Sequence, residues 1–377
     1  MYQIKGKINS NNALEFEKEI MATLPTDIDA AELEYISSAG LRVLLKLRKT
    51  VGDVNVCNVN PEVYEIFDVT GFIDILNVKK ALREVSVDGC ELIGEGANGK
   101  VYRLTKDEMI KVFRPGISLD VIEQERESSR KAFLFGVPCA ISYDTVRCGD
   151  SYGTVYETLN AATLTERIRE NPDKLEDYAR QSAALLKQLH TTEIPEGQLP
   201  DATRKLYDTL DTVSEDFTPE EMEKLRALYD SIPRQSFFIH NDYHVRNIME
   251  ANGELMLIDL GDAGAGNPLI DLIHCCMCYR FMGVGAKERK DDEVSFIGIT
   301  YGEMKRYWKV FLAEYCGGEK EAEQLDKLLE PYALMMYYTV AMAHPRLPKE
   351  YHPLYANFVR EKVLSRYDES IGCFAEN

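Results

Sequence analysis

Three polar residues at the ends of apolar segments narrow the folds open to this chain more than anything else in it. The run His240-Asn241-Asp242-Tyr243-His244-Val245-Arg246-Asn247 sets an amide shortly after a carboxylate. Asp259 follows inside the apolar segment Leu255-Met256-Leu257-Ile258-Asp259-Leu260-Gly261. Phosphoryl transfer needs this layout, because one carboxylate must accept the proton of an attacking hydroxyl. An amide oxygen and a second carboxylate then hold magnesium against nucleotide phosphates. Asp242, Asn247 and Asp259 can fill those roles. The competing reading is a surface turn and a buried strand that happen to carry acids.

A cover for the phosphates and a positive charge against them are needed as well, and both lie upstream. Leu92-Ile93-Gly94-Glu95-Gly96-Ala97-Asn98-Gly99-Lys100-Val101 reads G-x-G-x-x-G-x-V, and Lys111 follows in Met109-Ile110-Lys111-Val112-Phe113. Glycines let the backbone turn tightly and bring its N–H groups close to phosphate oxygens. Dinucleotide-binding folds use the same spacing, but there the third glycine opens a helix. Here Gly99 leads into Val101-Tyr102-Arg103-Leu104, a polar turn from Thr105 to Glu108 and the strand bearing Lys111, which predicts a hairpin.

Together these residues resemble the aminoglycoside phosphotransferase and choline kinase superfamily, small-molecule relatives of the protein kinases, over residues about 88 to 377. The resemblance implies a protein-kinase-like domain over 87–377, with a β-rich small lobe (88–158) and a mainly helical large lobe (159–377). It implies ATP and Mg2+ as cofactors, with Gly94, Gly96 and Gly99 over the phosphates. Asp242 would be the catalytic base, Asn247 and Asp259 the magnesium ligands, and Lys111 the contact to the nucleotide phosphates. A helix glutamate pairs with that lysine in the family; Glu125 is the choice here, with Glu123 and Glu127 competing because helix periodicity sets those two on a different face. The hinge resembles Val155-Tyr156-Glu157-Thr158-Leu159, so backbone groups of Glu157 and Leu159 would bond adenine. Thr163-Leu164-Thr165-Glu166 then reads as a capping box. His244 stands where protein kinases place a lysine, no A-P-E motif follows, and only a short segment separates Asp259 from Gly266-Asn267-Pro268-Leu269-Ile270-Asp271. These departures predict a small hydroxylated acceptor rather than a peptide. His240 and Asp271 are expected to brace the catalytic loop, and Asp262 is either a solvated acid or a partner to the metal ligands.

The first 86 residues read as a separate small α/β domain, so the fold class is α/β plus α+β. Ala31–Ile36 predicts a strand, Ser37-Ser38-Ala39-Gly40 a turn, and Leu41 to Lys49 a helix. A second strand from Val54 to Val59 leads to Asn60-Pro61, a cap and a proline opening a helix through Phe67. The segment ahead of Ala31 looks short, as though one edge of the sheet were trimmed. Tyr35-Ile36-Ser37-Ser38-Ala39-Gly40-Leu41 resembles the STAS domain of anti-sigma factor antagonists, as does Gly71-Phe72-Ile73-Asp74-Ile75-Leu76. In that family the serine matching Ser38 is phosphorylated by a partner kinase, although Ser37 here replaces the usual preceding aspartate. The plainer role for Ser38 is a helix N-cap whose hydroxyl accepts a backbone N–H.

A hydrophobic content of 45% across 377 residues suffices for a small core and a larger bilobal one. No segment has the layout of a signal peptide or the length of a membrane span, so a cytoplasmic protein is expected. Nine cysteines without framework spacing fit a reducing compartment. His274-Cys275-Cys276-Met277-Cys278 could suggest a metal, but after Asp271-Leu272-Ile273 it reads as buried helix. The formal charge of −19 argues against nucleic acid and favours a cationic substrate only by steering. Acids from Glu215 to Glu223 read as a solvated helix face, and the tyrosines from Tyr332 to Tyr355 as core packing. The His at position 190 closes an amphipathic helix starting near Leu175. The leading expectation is an ATP- and magnesium-dependent transfer of the γ-phosphoryl group to a small-molecule hydroxyl. Its rival is a signalling module that binds nucleotide without turnover and docks a protein partner through the first domain. A third reading has the kinase part phosphorylating Ser38.

Overall fold

The computed structural model describes residues 1–96, 98–159, 161–282 and 290–374. The chain divides into two compact units, Met1–Asp88 with Thr145–Gly153, and Gly89–Asp144 with Thr154–Asn377.

In the first unit, strands β1 (Tyr2–Ile8), β2 (Asp27–Ile36), β3 (Asn55–Val59) and β4 (Asn77–Lys80) form one parallel sheet in that order. Parallel neighbours need crossovers, and α1 (Ala13–Thr23), α2 (Ser38–Val51) and α3 (Pro61–Val69) provide them. A two-residue strand, β5 (Arg83–Glu84), follows. Ile28, Leu44, Val56 and Phe67 are fully buried in its core. The sheet is not trimmed ahead of Ala31, since β1 and α1 occupy that stretch. Gly40 permits the approach of α2 to the sheet, because a Cβ there would lie 2.7 Å from both Ile36 and Ile8 side-chain carbons. The cap of α2 is Ser37, whose side chain accepts from the Gly40 amide at 3.5 Å. Ser38 is therefore the exposed first residue of the helix and not its cap. Asn60 caps α3, accepting from the Val63 amide at 2.9 Å ahead of Pro61.

The second unit opens with β6 (Glu91–Glu95), β7 (Gly99–Arg103) and β8 (Glu108–Phe113), an antiparallel run in which Val101 lies opposite Lys111. Helix α4 (Leu119–Leu134) follows, then β9 (Ser142–Cys148) and β10 (Ser151–Glu157), the latter hydrogen-bonded to β8. The remainder is mainly helical. It comprises α5 (Leu164–Glu170), α6 (Leu175–Leu189), α7 (Arg204–Thr212), α8 (Pro219–Asp230), α9 (Leu269–Cys276), α10 (Tyr301–Cys316), α11 (Glu319–Ala343), α12 (His352–Lys362) and α13 (Tyr367–Ser370). Between α8 and α9 run the short strands β12 (Phe237–Ile239), β13 (Ile248–Ala251), β14 (Glu254–Leu257) and β15 (Gly264–Gly266), while β11 (Ala162–Thr163) pairs with β13. Thr163 opens α5 with a capping box completed by Glu166. Of the tyrosines from Tyr332 to Tyr355, Tyr332 and Tyr338 are buried and pack the core as expected, whereas Tyr351 is exposed. Among the acids from Glu215 to Glu223, Glu215, Glu220 and Glu223 are exposed as expected, whereas Glu221 is half-buried and offers both carboxylate oxygens to Arg360 on α12. No helix among the described residues is long and apolar enough to cross a membrane.

Candidate active site

The β13–β14 hairpin turns at Asn252-Gly253, with φ of 55° and 85°. Two positive φ angles in a two-residue loop suit the twist of a hairpin and set its register. Ile248 consequently faces Leu257, and the Ile258 amide donates to the Asn247 carbonyl at 3.0 Å. Asn247 and Asp259 leave the same end of the hairpin for this reason. Asp259 itself adopts the left-handed region, φ 61° and ψ 58°, unusual for a residue other than glycine.

The loop before β13 is held from beneath. Asp271, wholly buried on α9, accepts the amides of His240 and Asn241 at 2.8 and 2.7 Å. His190, next after α6, places Nε2 3.2 Å from the same carboxylate and Nδ1 2.8 Å from the Tyr315 hydroxyl. Burial opposes the charge on Asp271, but the His190 hydrogen bond, with His190 and His240 nearby, outweighs it and holds the carboxyl below the usual range. Asn241 has φ 63°, and its Nδ2 donates to the carbonyls of Ala202 and Asp262. Asp242 thus projects from a loop tied at two consecutive amides. Asn247 Nδ2 donates to the Asp242 carbonyl at 3.0 Å and to its Oδ2 at 2.9 Å. The Nε2 atoms of His244 and His274 each lie 3.4 Å from Oδ1. Burial pushes the Asp242 carboxyl up, while His244, His274, Lys205 and His240 pull it down further, leaving it below its ordinary value. Burial likewise pushes His274 down to about 4 against the pull of Asp242, so its ring is neutral at pH 7.

Lys111, on β8, lies 2.6 Å from Glu125 Oε1 and 2.9 Å from Asp259 Oδ1. Burial works against its charge, but Asp259 and Glu125 more than compensate and raise its pKa. The other two glutamates turn elsewhere on α4, Glu123 to Arg126 and Glu127 to Arg130. Gly261 packs beside Glu125, where a Cβ would come within 3.1 Å of its carboxylate. Among the glycines of the loop, Gly94 faces open space and Gly96 has only the Gly99 carbonyl, at 4.0 Å, near a built Cβ. Gly99 answers to packing: a Cβ there would collide with the Val112 carbonyl oxygen on β8. Glu157 ends β10 with its amide donating to Ile141 O at 3.3 Å, and Leu159 follows half-buried.

Two residues at this site escape the sequence reading, His274 on α9 and Lys205 on α7. Lys205 pairs with Asp262, an exposed acid, so Asp262 is solvated and engaged by a lysine at once. The available signal for His274 was its position one turn after Asp271 on an otherwise apolar helix, which sets both on the loop-facing side.

The family model described as "Phosphotransferase enzyme family" matches residues 89–307. The chain belongs to the phosphotransferase enzyme family. Its first 85 residues match the STAS domain model. Over 84 residues the phosphotransferase chain is 38% identical to BtrV of Bordetella bronchiseptica, described as an anti-sigma factor antagonist, covering 20% of this chain and 72% of that one. The ADP-bound aminoglycoside phosphotransferase APH(2'')-Ib superposes with a TM-score of 0.51 at 16% identity, covering 74% of this chain and 94% of that one. That likeness extends to the protein-kinase-like fold. A choline/ethanolamine kinase family protein from Mesorhizobium loti gives a TM-score of 0.48 at 15% identity, over 75% and 92% of the two chains.

Proposed function

We propose that the second unit transfers the γ-phosphoryl group of ATP, with Mg2+, to a hydroxyl of a small molecule. The observation that carries this reading is the double pairing of Lys111 with Glu125 and Asp259, residues far apart in the chain, beside a glycine loop whose Gly94 and Gly96 leave open space. Lys111 would neutralise phosphate oxygens, and Glu125 fixes the position of its ammonium. Asn247 turns its Nδ2 to Asp242, which leaves its amide oxygen as an acceptor; with the Asp259 carboxylate it forms the hard-oxygen donor set that magnesium takes. These two residues would hold magnesium, whose chemistry there would be to offset phosphate charge. Asp242, kept ionised and oriented by Asn247, accepts the proton of the attacking hydroxyl, and backbone groups of Glu157 and Leu159 would receive adenine. Consumption of ATP and nine free thiols fit the cytoplasm.

The Asp242→Asn variant tests the assignment. Its kcat is expected to fall by roughly 10²–10⁴, with the Kd for magnesium–nucleotide changed little; an undiminished kcat would refute it.

The match of the first unit to BtrV favours a second role beside catalysis, docking of a protein partner through the STAS domain. Ser38, exposed at the start of α2, makes no hydrogen bond through its hydroxyl among the described residues and is its candidate phosphoacceptor. A dianion there would sit favourably against the helix N-terminus. Mapping of label after incubation with radioactive ATP decides whether the second unit itself modifies Ser38; an unlabelled Ser38 discards that route.

A further inference from the structure

The pocket beside Asp242 bears on the chemistry of the acceptor, an inference that rests on the phosphotransferase reading above. It encloses about 210 Å³, small beside the roughly 300–1,000 Å³ of sites that take drug-sized ligands. Leu206, Met277, Met282, Phe296, Met336 and Val340 are among the apolar side chains that line it. Asp242 is the one carboxylate among its described lining residues. Several polar groups of the wall are already spent. Thr209 Oγ1 donates to the Lys205 carbonyl and Thr339 Oγ1 to the Met335 carbonyl, each at 2.8 Å. The Lys205 ammonium pairs with Asp262, and the imidazole Nε2 atoms of His244 and His274 are turned to Asp242. Tyr229 alone among the hydroxyl-bearing lining residues makes no hydrogen bond within the described residues.

A cationic acceptor entering this space would lose its hydration and meet no carboxylate beyond the one that must take its hydroxyl proton. Lys205 in the wall adds repulsion. A sugar would bring several hydroxyls against a mainly apolar wall, where the threonine oxygens, with their protons already donated within their own helices, can only accept, and the remaining hydroxyls would be buried without partners. We infer that the acceptor is a compact, uncharged alcohol with an apolar body and few further polar atoms. In the reaction its hydroxyl oxygen bonds to the γ-phosphorus as the bond from that phosphorus to the β,γ-bridging oxygen breaks. ADP leaves with the electron pair, and the hydroxyl proton passes to Asp242 and then to solvent.

The experiment supplies the full-length chain, Mg2+ and ATP with a panel of apolar alcohols, 2-phenylethanol and cyclohexylmethanol among them, beside choline, ethanolamine and kanamycin, and measures the phosphate ester formed. The expected result is a kcat/KM for the best apolar alcohol about tenfold or more above that of any amine or sugar. A preference for choline or kanamycin would overturn the inference while leaving the phosphotransferase reading intact. Ester from no compound of the panel, with magnesium–ATP bound, would bring down that reading and the inference with it. Val340 is 39% exposed at the rim, so Val340→Asp disturbs little of the core. This variant should lower kcat/KM for apolar alcohols about tenfold with the KM for ATP held, whereas unchanged selectivity would overturn the inference.

Discussion

Lys111 is only 16% exposed, and its ammonium is caught between carboxylates contributed by α4 and by the segment after β14. Glu125→Gln removes one of those charges while keeping the shape, so Lys111 would be drawn toward Asp259 alone. The expected outcome is a fall of roughly 10- to 100-fold in kcat/KM for ATP, the range in which supporting partners act. Glu123→Gln and Glu127→Gln should change it little, because those side chains pair with arginines on their own helix. Steady-state kinetics on the three variants separates them, and equal losses would remove Glu125 from its role. His274 makes a second prediction through pH. Its folded pKa, about 4, lies below the ordinary histidine value near 6.5. Between those values the unfolded chain binds the proton and the folded chain does not, so stability rises with pH across this window and is lost on acidification from about 6.5 toward 4. The loss from this residue is on the order of 3 kcal/mol, and His274→Gln should flatten the dependence of Tm on pH between those limits. A variant with the same slope as the parent would contradict this. Asp242, Asn247, Asp259 and Lys111 were legible because each sits at a fixed offset inside a short motif. His274 and Lys205 were not, since the packing of α9 and α7 beneath the loop brings them to Asp242, and the one local sign, His274 standing a turn after Asp271, does not by itself point to that carboxylate.

At the scale of elements, the parts readable beforehand are those whose signals are local. The capping box at Thr163, the Asn60-Pro61 start of α3 and the hairpin from Gly99 to Phe113 were expected from a few adjacent residues and are present. β1 was legible and was passed over: Tyr2, Ile4, Gly6 and Ile8 turn inward and alternate with exposed Gln3, Lys5 and Lys7, and only Gly6, at φ 66° beside a register shift against β2, interrupts the apolar face. The cap of α2 was misplaced by one residue because Ser37 and Ser38 are chemically alike, and only backbone geometry tells them apart. The junction of α8 with α12 shows a tertiary contact overriding a surface-like sequence. Glu221 completes the capping box of Thr218 and takes Arg360, and the Arg360 hydrogen bond, above the opposing effect of burial, holds its carboxyl down to about 2. A depressed carboxyl contributes stability that is present above its unfolded pKa, near 4.3, and disappears as pH falls toward about 2. Arg360 is about a third exposed, so screening limits the pair, and Arg360→Gln should cost about 1 kcal/mol at pH 7. Urea unfolding at pH 7 and again at pH 3 should show the gap between variant and parent narrowing; a constant gap would mean that the Glu221 charge is not what Arg360 serves.

For the whole molecule, the composition and the site point in different directions, and the site is the better guide. A net charge of −19 suggests attraction of cations from a distance, yet the described lining of the pocket holds a single carboxylate. Long-range charge affects encounter, whereas acceptance depends on what the wall offers after desolvation. The change of pattern near residue 86 led to an expectation of two domains; the chain divides into two compact units, the first of which also takes in Thr145–Gly153, and each has its own buried core. One core is built around Ile28, Leu44 and Val56, the other around Leu186, Phe238 and Tyr307. A chain with two closed cores should not unfold as one two-state body. Calorimetry is expected to resolve two transitions, and two perturbations assign them. Leu44 is completely buried in the smaller core, so Leu44→Ala should destabilise that unit by about 2–5 kcal/mol and lower its transition alone. Magnesium with a non-hydrolysable ATP analogue at 100 times its Kd should stabilise the other unit by about 2.7 kcal/mol, because only folded protein binds it. Asp259→Asn should weaken that second shift without touching the first transition. A single transition moved by both the Leu44 change and the nucleotide would show that the two cores unfold together.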